Sequence, residues 1–347
     1  MKTFASRLLL WFDTDGRHDL PWQHPRTPYR VWLSEIMLQQ TQVQTVIPYY
    51  TRFLDALPTL PDLAAAESDH VLALWAGLGY YARARNLHRA AQVCVAEHGG
   101  DLPREFEKLA ALPGIGRSTA GAILAQAHGD RYAILDGNVK RTLARFHGIA
   151  GYPGSGPVEK QMWALAESHL PPDRMADYTQ AIMDFGATLC TRHDPACVLC
   201  PLQDDCVARI EGRVEQLPEA KPGKPLPERR TLMLLVRDAE GRVLLARRPP
   251  TGVWSGLWSL PEAGDHDEAR AFLSRHTAAD FDAAQVLPLI EHTFSHYRLH
   301  IEPMSWRVPA ARDAVGDTPD LRWQPFDRLA ELGLPAPVKK LLGNLTP

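Results

Sequence analysis

Two carboxyl groups stand in contrasting settings along this chain. Glu35 lies in VWLSEIMLQQT, where the positions three and four residues away are Val31, Trp32, Leu38 and Gln39. A helix there holds the carboxyl against apolar surface, and burial raises a carboxyl pKa until the group carries a proton near neutral pH. Asp136 follows the apolar run 132–135 and opens a D-G-N turn ahead of the helical segment 138–146. At that place it is a natural N-cap, fixed and kept ionised by amide hydrogen bonds. A protonated acid facing an ionised carboxylate is the division of labour that breaks glycosidic bonds through oxocarbenium-like states. The plainer readings, a helix-edge glutamate and a simple cap, fit the same positions.

Three further patterns carry chemistry. L-P-G-I-G at 112–116 separates two segments of helical spacing, so the amides of Gly114 and Gly116 and the following helix N-terminus face outward without side-chain obstruction. Such a turn seats a phosphate. Of five cysteines, four fall at Cys190, Cys197, Cys200 and Cys206, a C-x6-C-x2-C-x5-C cluster. With no export signal in view, four thiols this close argue for a metal site over disulfides. Zinc and a 4Fe-4S cluster both accept four thiolates, and the spacing leaves the two open. Cys94, on a helix face, reads as an inert buried residue. The third pattern joins Q-Q-T at 39–41 to G-L-G-Y-Y at 77–81, where flat amides and an aromatic after a glycine turn suit insertion into a base stack. Ordinary packing uses the same residues.

The elements that must position these groups fall into two sets. A length of 347 residues, 45% of them hydrophobic, predicts about two domains with a core each. Residues 1–210 read as almost wholly helical, with apolar residues recurring at three and four and Gly or Pro between segments. Residues 211–230, charged and with four prolines, read as a linker. Beyond them the period changes: TLMLLVRD, a D-A-E-G turn and RVLLARR form a hairpin, two further strands follow over 284–308, and 231–347 becomes an α+β domain. No run of 18 apolar residues occurs and the N-terminus lacks a cleavage signal, so no membrane association and a cytoplasmic location are expected. Net charge is −3 and neither part is basic, so whole-chain charge decides nothing and any DNA binding must come from a local patch. Arg83, Arg85, His88 and Arg89 are the candidates.

L-P-G-I-G followed by D-G-N-V resembles the helix-hairpin-helix DNA glycosylase superfamily. Together with S-E-I-M-L-Q-Q-T, G-L-G-Y-Y-A-R-A-R-N-L and the cysteine spacing, it is similar to the MutY family of adenine DNA glycosylases over nearly the whole chain. The resemblance implies a mostly α glycosylase domain with its hairpin near 112–120 and a 4Fe-4S cluster on Cys190, Cys197, Cys200 and Cys206, held in the loop 190–206. It assigns Glu35 as the acid, Asp136 as the carboxylate that stabilises the oxocarbenium, and Asn138 as a supporting polar residue. Tyr80 becomes the wedge beside the lesion, Gln39 and Thr41 contacts to the lesion strand, and Gln180 a residue facing the flipped adenine. Bifunctional relatives carry a lysine where this chain has Ser118. The amine route is then missing, water is the nucleophile, and Lys140 reads as a phosphate contact.

In the C-terminal part, G-L-W-S-L-P-E at 256–262 opens like a Nudix box, but Ala271, Ser274 and Arg275 stand where metal-binding carboxylates belong. A hard cation needs those oxygens, so diphosphate hydrolysis is not expected. The resemblance makes this a Nudix-like domain that reads 8-oxoguanine through H-T-F-S-H at 292–296, with Phe294, Ser295 and His296 in the reading loop. The expected function is a monofunctional glycosylase, a monomer on double-stranded DNA, that removes adenine opposite 8-oxoguanine or guanine. A sliding clamp is a candidate partner through the linker. The alternatives are a thymine or uracil mismatch glycosylase, or a non-catalytic iron-sulfur protein that binds damaged DNA.

Overall fold

The structure, a computed structural model, describes residues 3–221, 223, 225–309 and 320–344. The chain divides into two compact units, one of Met1–Ala65 with Asn86–Gly223 and one of Ala66–Arg85 with Lys224–Pro347.

The first unit is helical, as the apolar spacing predicts. The helix Pro28–Leu38 starts with proline at its first turn behind Thr27, whose side chain accepts from the Arg30 amide, so a fixed φ and a filled cap set its register. It packs on the helix Arg117–His128, and the helix Met175–Thr188 packs on both that helix and Gly137–His147. These central helices present Ala122, Ala125, Val139, Leu143, Ala181, Ile182 and Phe185 to one core, closed from outside by Leu8, Trp11 and Phe12 of the helix Phe4–Asp15. Small residues at the crossings let the helices approach closely. At Gly186 an added Cβ would lie 2.5 Å from the Cβ of Asn138, so only glycine lets Met175–Thr188 meet the start of Gly137–His147.

The second unit is built on a mixed sheet. Its strands are β1 (Glu228–Arg237), β2 (Arg242–Arg247), β3 (Trp258–Ser259), β4 (Glu262–Ala263), β5 (Gln285–Val286), β6 (Ile290–Thr293), β7 (Arg298–Arg307) and β8 (Leu321–Pro325). β1 runs parallel to β7 in the centre and antiparallel to β2 and β4. The predicted hairpin is present, turning between Asp238 and Gly241, while the stretch expected to hold two strands holds three, β5, β6 and β7. Alternate residues of β1 feed two cores. Met233 and Leu235 face one with Val338 and Leu341 of the helix Ala336–Gly343, and Leu232, Leu234 and Val236 face the other with Ala269 and Leu273 of the helix His266–His276. Burial on both faces explains why β1 reads as a continuous apolar run.

The division departs from the 1–210, 211–230, 231–347 reading in two places. Residues 66–85 group with the C-terminal part, because Asp69 accepts from Arg247 Nη2 at 2.9 Å and from Trp258 Nε1 at 3.2 Å. Neither partner is visible from sequence spacing. The linker is also shorter than 211–230: Arg145 donates to the carbonyls of Val214 and Leu217, and β1 begins at Glu228. Residues 222 and 224 of that stretch lie outside the described residues.

Candidate active site

Glu35 sits mid-helix with Ser34 and Ile36 buried beside it, and Gln126 Nε2 donates to its Oε1 at 3.0 Å. Burial pushes its carboxyl up to about 7, the negative charge of Asp136 adds to the shift, and the Gln126 hydrogen bond opposes it. The apolar spacing therefore leads to the predicted environment. Asp136 caps the helix Gly137–His147, its Oδ1 accepting from the Val139 amide at 2.8 Å. Burial raises its carboxyl above the ordinary value, and the Val139 and Asn138 amides with Arg141 and Lys140 offset that in part. The charge of Asp136 reaches Glu35 and adds to the rise of its carboxyl.

Ser118 and Asn138 act behind the carboxyls. The Leu135 amide donates to Ser118 Oγ at 2.9 Å, which pins the residue preceding Asp136. Asn138 Oδ1 accepts from Arg141 Nη2 at 2.8 Å, and the same guanidinium donates to the carbonyls of Gly186 and Cys190. Arg141 escaped the sequence reading, and its only signal was a position three residues after Asn138 on one helix face. Lys140, expected on a phosphate, is paired with Glu159 at 2.6 Å. Gln180 is buried and donates to Asp184 Oδ1 at 2.7 Å. Asp184, also unforeseen, accepts from the amide and guanidinium of Arg17 and fixes the Gln180 side chain by doing so.

The glycine turn lies between the helices Phe106–Ala111 and Arg117–His128, with Gly116 as the cap of the second. Gly114 has φ +79, and a Cβ there would come 2.8 Å from Asn86 Cβ, so the turn requires glycine twice over. Gln39 ends the Glu35 helix, and Thr41 Oγ1 donates to the Gln39 carbonyl at 3.4 Å. Of the expected basic patch, Arg83 and His88 are buried, and Arg83 donates to the carbonyls of Leu78 and Gly79. That patch is not a surface stripe, because Arg83 also lies against the rings of Trp75 and Tyr80.

The four clustered cysteines line one cavity together with Arg145 and Arg209. Among the described residues no group of three or more His, Cys, Asp or Glu is drawn in to metal-binding distance; the thiols surround a space. Arg145 is buried and donates to the carbonyls of Thr191 and Arg192, reaching Cys190 Sγ at 3.5 Å. A buried guanidinium bonded to carbonyls and a sulfur fits a site that gathers negative charge on its sulfurs. Burial and the neighbouring thiols push Cys200 up to about 12, so metal binding there must displace protons. This all-sulfur donor set suits an iron-sulfur cluster or zinc and disfavours a hard cation.

In the second unit Tyr80 is 53% exposed with φ +47, a conformation uncommon for a non-glycine residue. Phe294 packs against Trp254, with ring centres 5.0 Å apart, while Ser295 and His296 are exposed where β6 turns into β7. The helix His266–His276 carries no carboxylate at 271, 274 or 275, and Arg270 pairs with Asp282.

Comparison with known proteins gives the family of each part. Residues 33–168 match the family model of HhH-GPD superfamily base excision DNA repair proteins, and residues 232–344 match that of the NUDIX domain. The chain is 37% identical to the adenine DNA glycosylase of Buchnera aphidicola (Acyrthosiphon pisum strain), covering 98% of this chain and 97% of that one. It is 34% identical to human adenine DNA glycosylase, covering 97% of this chain and 73% of the relative. Among solved structures, a thermostable thymine-DNA glycosylase matches with TM-score 0.55 and 30% identity over 60% of this chain and 95% of that one. No helix among the described residues is long and apolar enough to cross a membrane.

Proposed function

Given that the chain belongs to the adenine DNA glycosylases, hydrolases of N-glycosyl bonds that act in base excision repair, we propose that it removes adenine opposite 8-oxoguanine or guanine without cleaving the strand. The observation that carries the mechanism is the coupled pair Glu35 and Asp136. Once the adenine is turned out of the stack, Glu35 donates its proton to a ring nitrogen and the N-glycosidic bond breaks. Asp136, with its carboxylate held by the Val139 amide, stabilises the positive sugar until water adds. Asn138 and Arg141 keep the helix start in place beneath it. Water as nucleophile is supported by two positions: Ser118 stands at the lysine position of bifunctional relatives, and Lys140 is held by Glu159.

Gly114, Gly116, Gln39, Thr41 and Tyr80 contact the duplex in this reading, Gln180 faces the base, and Phe294, Ser295 and His296 read the opposite strand. Cys190, Cys197, Cys200 and Cys206 would hold a 4Fe-4S cluster, which cross-links the loop and supplies no chemistry at the sugar. The likeness to a thymine-DNA glycosylase covers 60% of this chain, whereas the adenine DNA glycosylase of Buchnera aphidicola matches over 98% of it. A single-turnover assay on duplexes carrying A:8-oxoguanine, A:G, T:G and U:G tests the reading. Adenine release leaving an intact abasic strand, with no borohydride-trapped adduct, is expected. Release of thymine or uracil instead, or a trapped adduct in good yield, contradicts it.

A further inference from the structure

Segment 66–85 and the C-terminal domain are fastened by polar contacts that land in different places. Asp69 binds Arg247 and Trp258, and Tyr81 Oη donates to the Leu334 carbonyl at 3.2 Å. Arg85 Nη1 donates to the Ser255 carbonyl at 2.5 Å. Ser255 is buried in the loop 250–257, next to Trp254, which is held at φ +55. The Trp254 ring lies 5.0 Å from that of Phe294 and 5.3 Å from that of His292. One loop therefore touches the helix start behind Tyr80 on one side and the 294–296 turn on the other. Tyr80 and Trp254 both occupy left-handed conformations, which persist only where the surroundings impose them.

We propose that Arg85 and Trp254 are positioning residues that hold the Tyr80 turn and the Phe294-Ser295-His296 turn as one recognition surface and thereby set the preference for 8-oxoguanine over guanine. The inference rests on the reading of those two turns as lesion contacts. Arg85 is committed to a carbonyl and Trp254 to aromatic neighbours, so their part is preorganisation: two turns already in place do not have to be ordered when the duplex binds.

The test measures single-turnover excision by the full-length protein on A:8-oxoguanine and A:G duplexes. Arg85→Met should lower the ratio of the two rates roughly tenfold, the factor of one hydrogen bond to a charged group, and Trp254→Leu should lower it in the same direction, each by slowing the 8-oxoguanine duplex while the A:G rate holds. Because both act through the same loop, the double variant should lose no more than the worse single one, and Trp254→Phe should keep most of the preference. Equal slowing on both duplexes, or losses that multiply in the double variant, overturns the coupling. Tyr80→Ala and Ser295→Ala report on the underlying reading. If they leave the ratio unchanged the lesion contacts are misassigned; if they lower it and Arg85→Met does not, the coupling alone is wrong.

Discussion

Glu35 and Glu262 begin from the same condition and end in different roles. Burial raises the carboxyl of each above its ordinary range. Glu262, the glutamate of the Nudix-like stretch, faces the Arg248 guanidinium, which pairs with it and pulls its pKa back down. Glu35 faces a neutral amide, Gln126, and an anionic neighbour, Asp136, that pushes it further up. Burial is the larger cause in both, and the charge of the partner sets whether the shift is extended or opposed. Around Glu262 the other carboxylates of a hydrolase are also gone, replaced by Ala271, Ser274 and Arg275.

The contrast can be broken in several ways, the largest first. Asp136→Asn should lower single-turnover excision by a hundredfold or more while duplex binding survives, since one preorganised electrostatic partner is worth about that much. Glu262→Gln should leave the excision rate intact; a comparable loss there would erase the distinction. Cys200→Ala should abolish iron incorporation and lower the thermal midpoint, whereas the native protein purified anaerobically should be brown with about four irons per chain. Stoichiometric zinc in place of iron speaks against the cluster.

Smaller effects sharpen the same contrast. Ser295→Ala should reduce the preference for 8-oxoguanine by about 1 kcal/mol if one hydrogen bond is lost, read as the ratio of rates on A:8-oxoguanine and A:G. Gln126→Leu removes the hydrogen bond that favours ionised Glu35, so the alkaline limb of the rate profile should move to higher pH; a downward move would show that Gln126 does not act on this carboxyl. The sign for stability is fixed likewise. Glu35 binds its proton more tightly in the folded chain, so its contribution is complete below the exposed-carboxyl value of 4.5 and is lost as pH rises through about 7.

Local chemistry was legible in the sequence where a single segment carries it. The cysteine spacing, the Asp136 cap, the glycine turn and the apolar setting of Glu35 each lie within one short stretch. Legibility ended where the partner is distant: Gln126 lies 91 residues from Glu35, and Arg247 lies 178 residues from Asp69. The grouping of 66–85 with the C-terminal part depends on such contacts. Arg83 and His88 misled because a run of cations looks alike whether it faces solvent or folds back on carbonyls and rings. The Asp136 cap was visible in the sequence, and the burial that raises its carboxyl was not.

The central claim is that Glu35 supplies a proton to the leaving base while Asp136 supports the sugar. Replacing adenine with a purine that is expelled more easily, and measuring single-turnover rates for Glu35→Gln and Asp136→Asn, separates the two roles. The account predicts strong rescue of Glu35→Gln and little rescue of Asp136→Asn, because a better leaving group needs less acid and the same stabilisation of the sugar. Equal rescue of both variants, or a normal rate for Glu35→Gln on adenine itself, contradicts it.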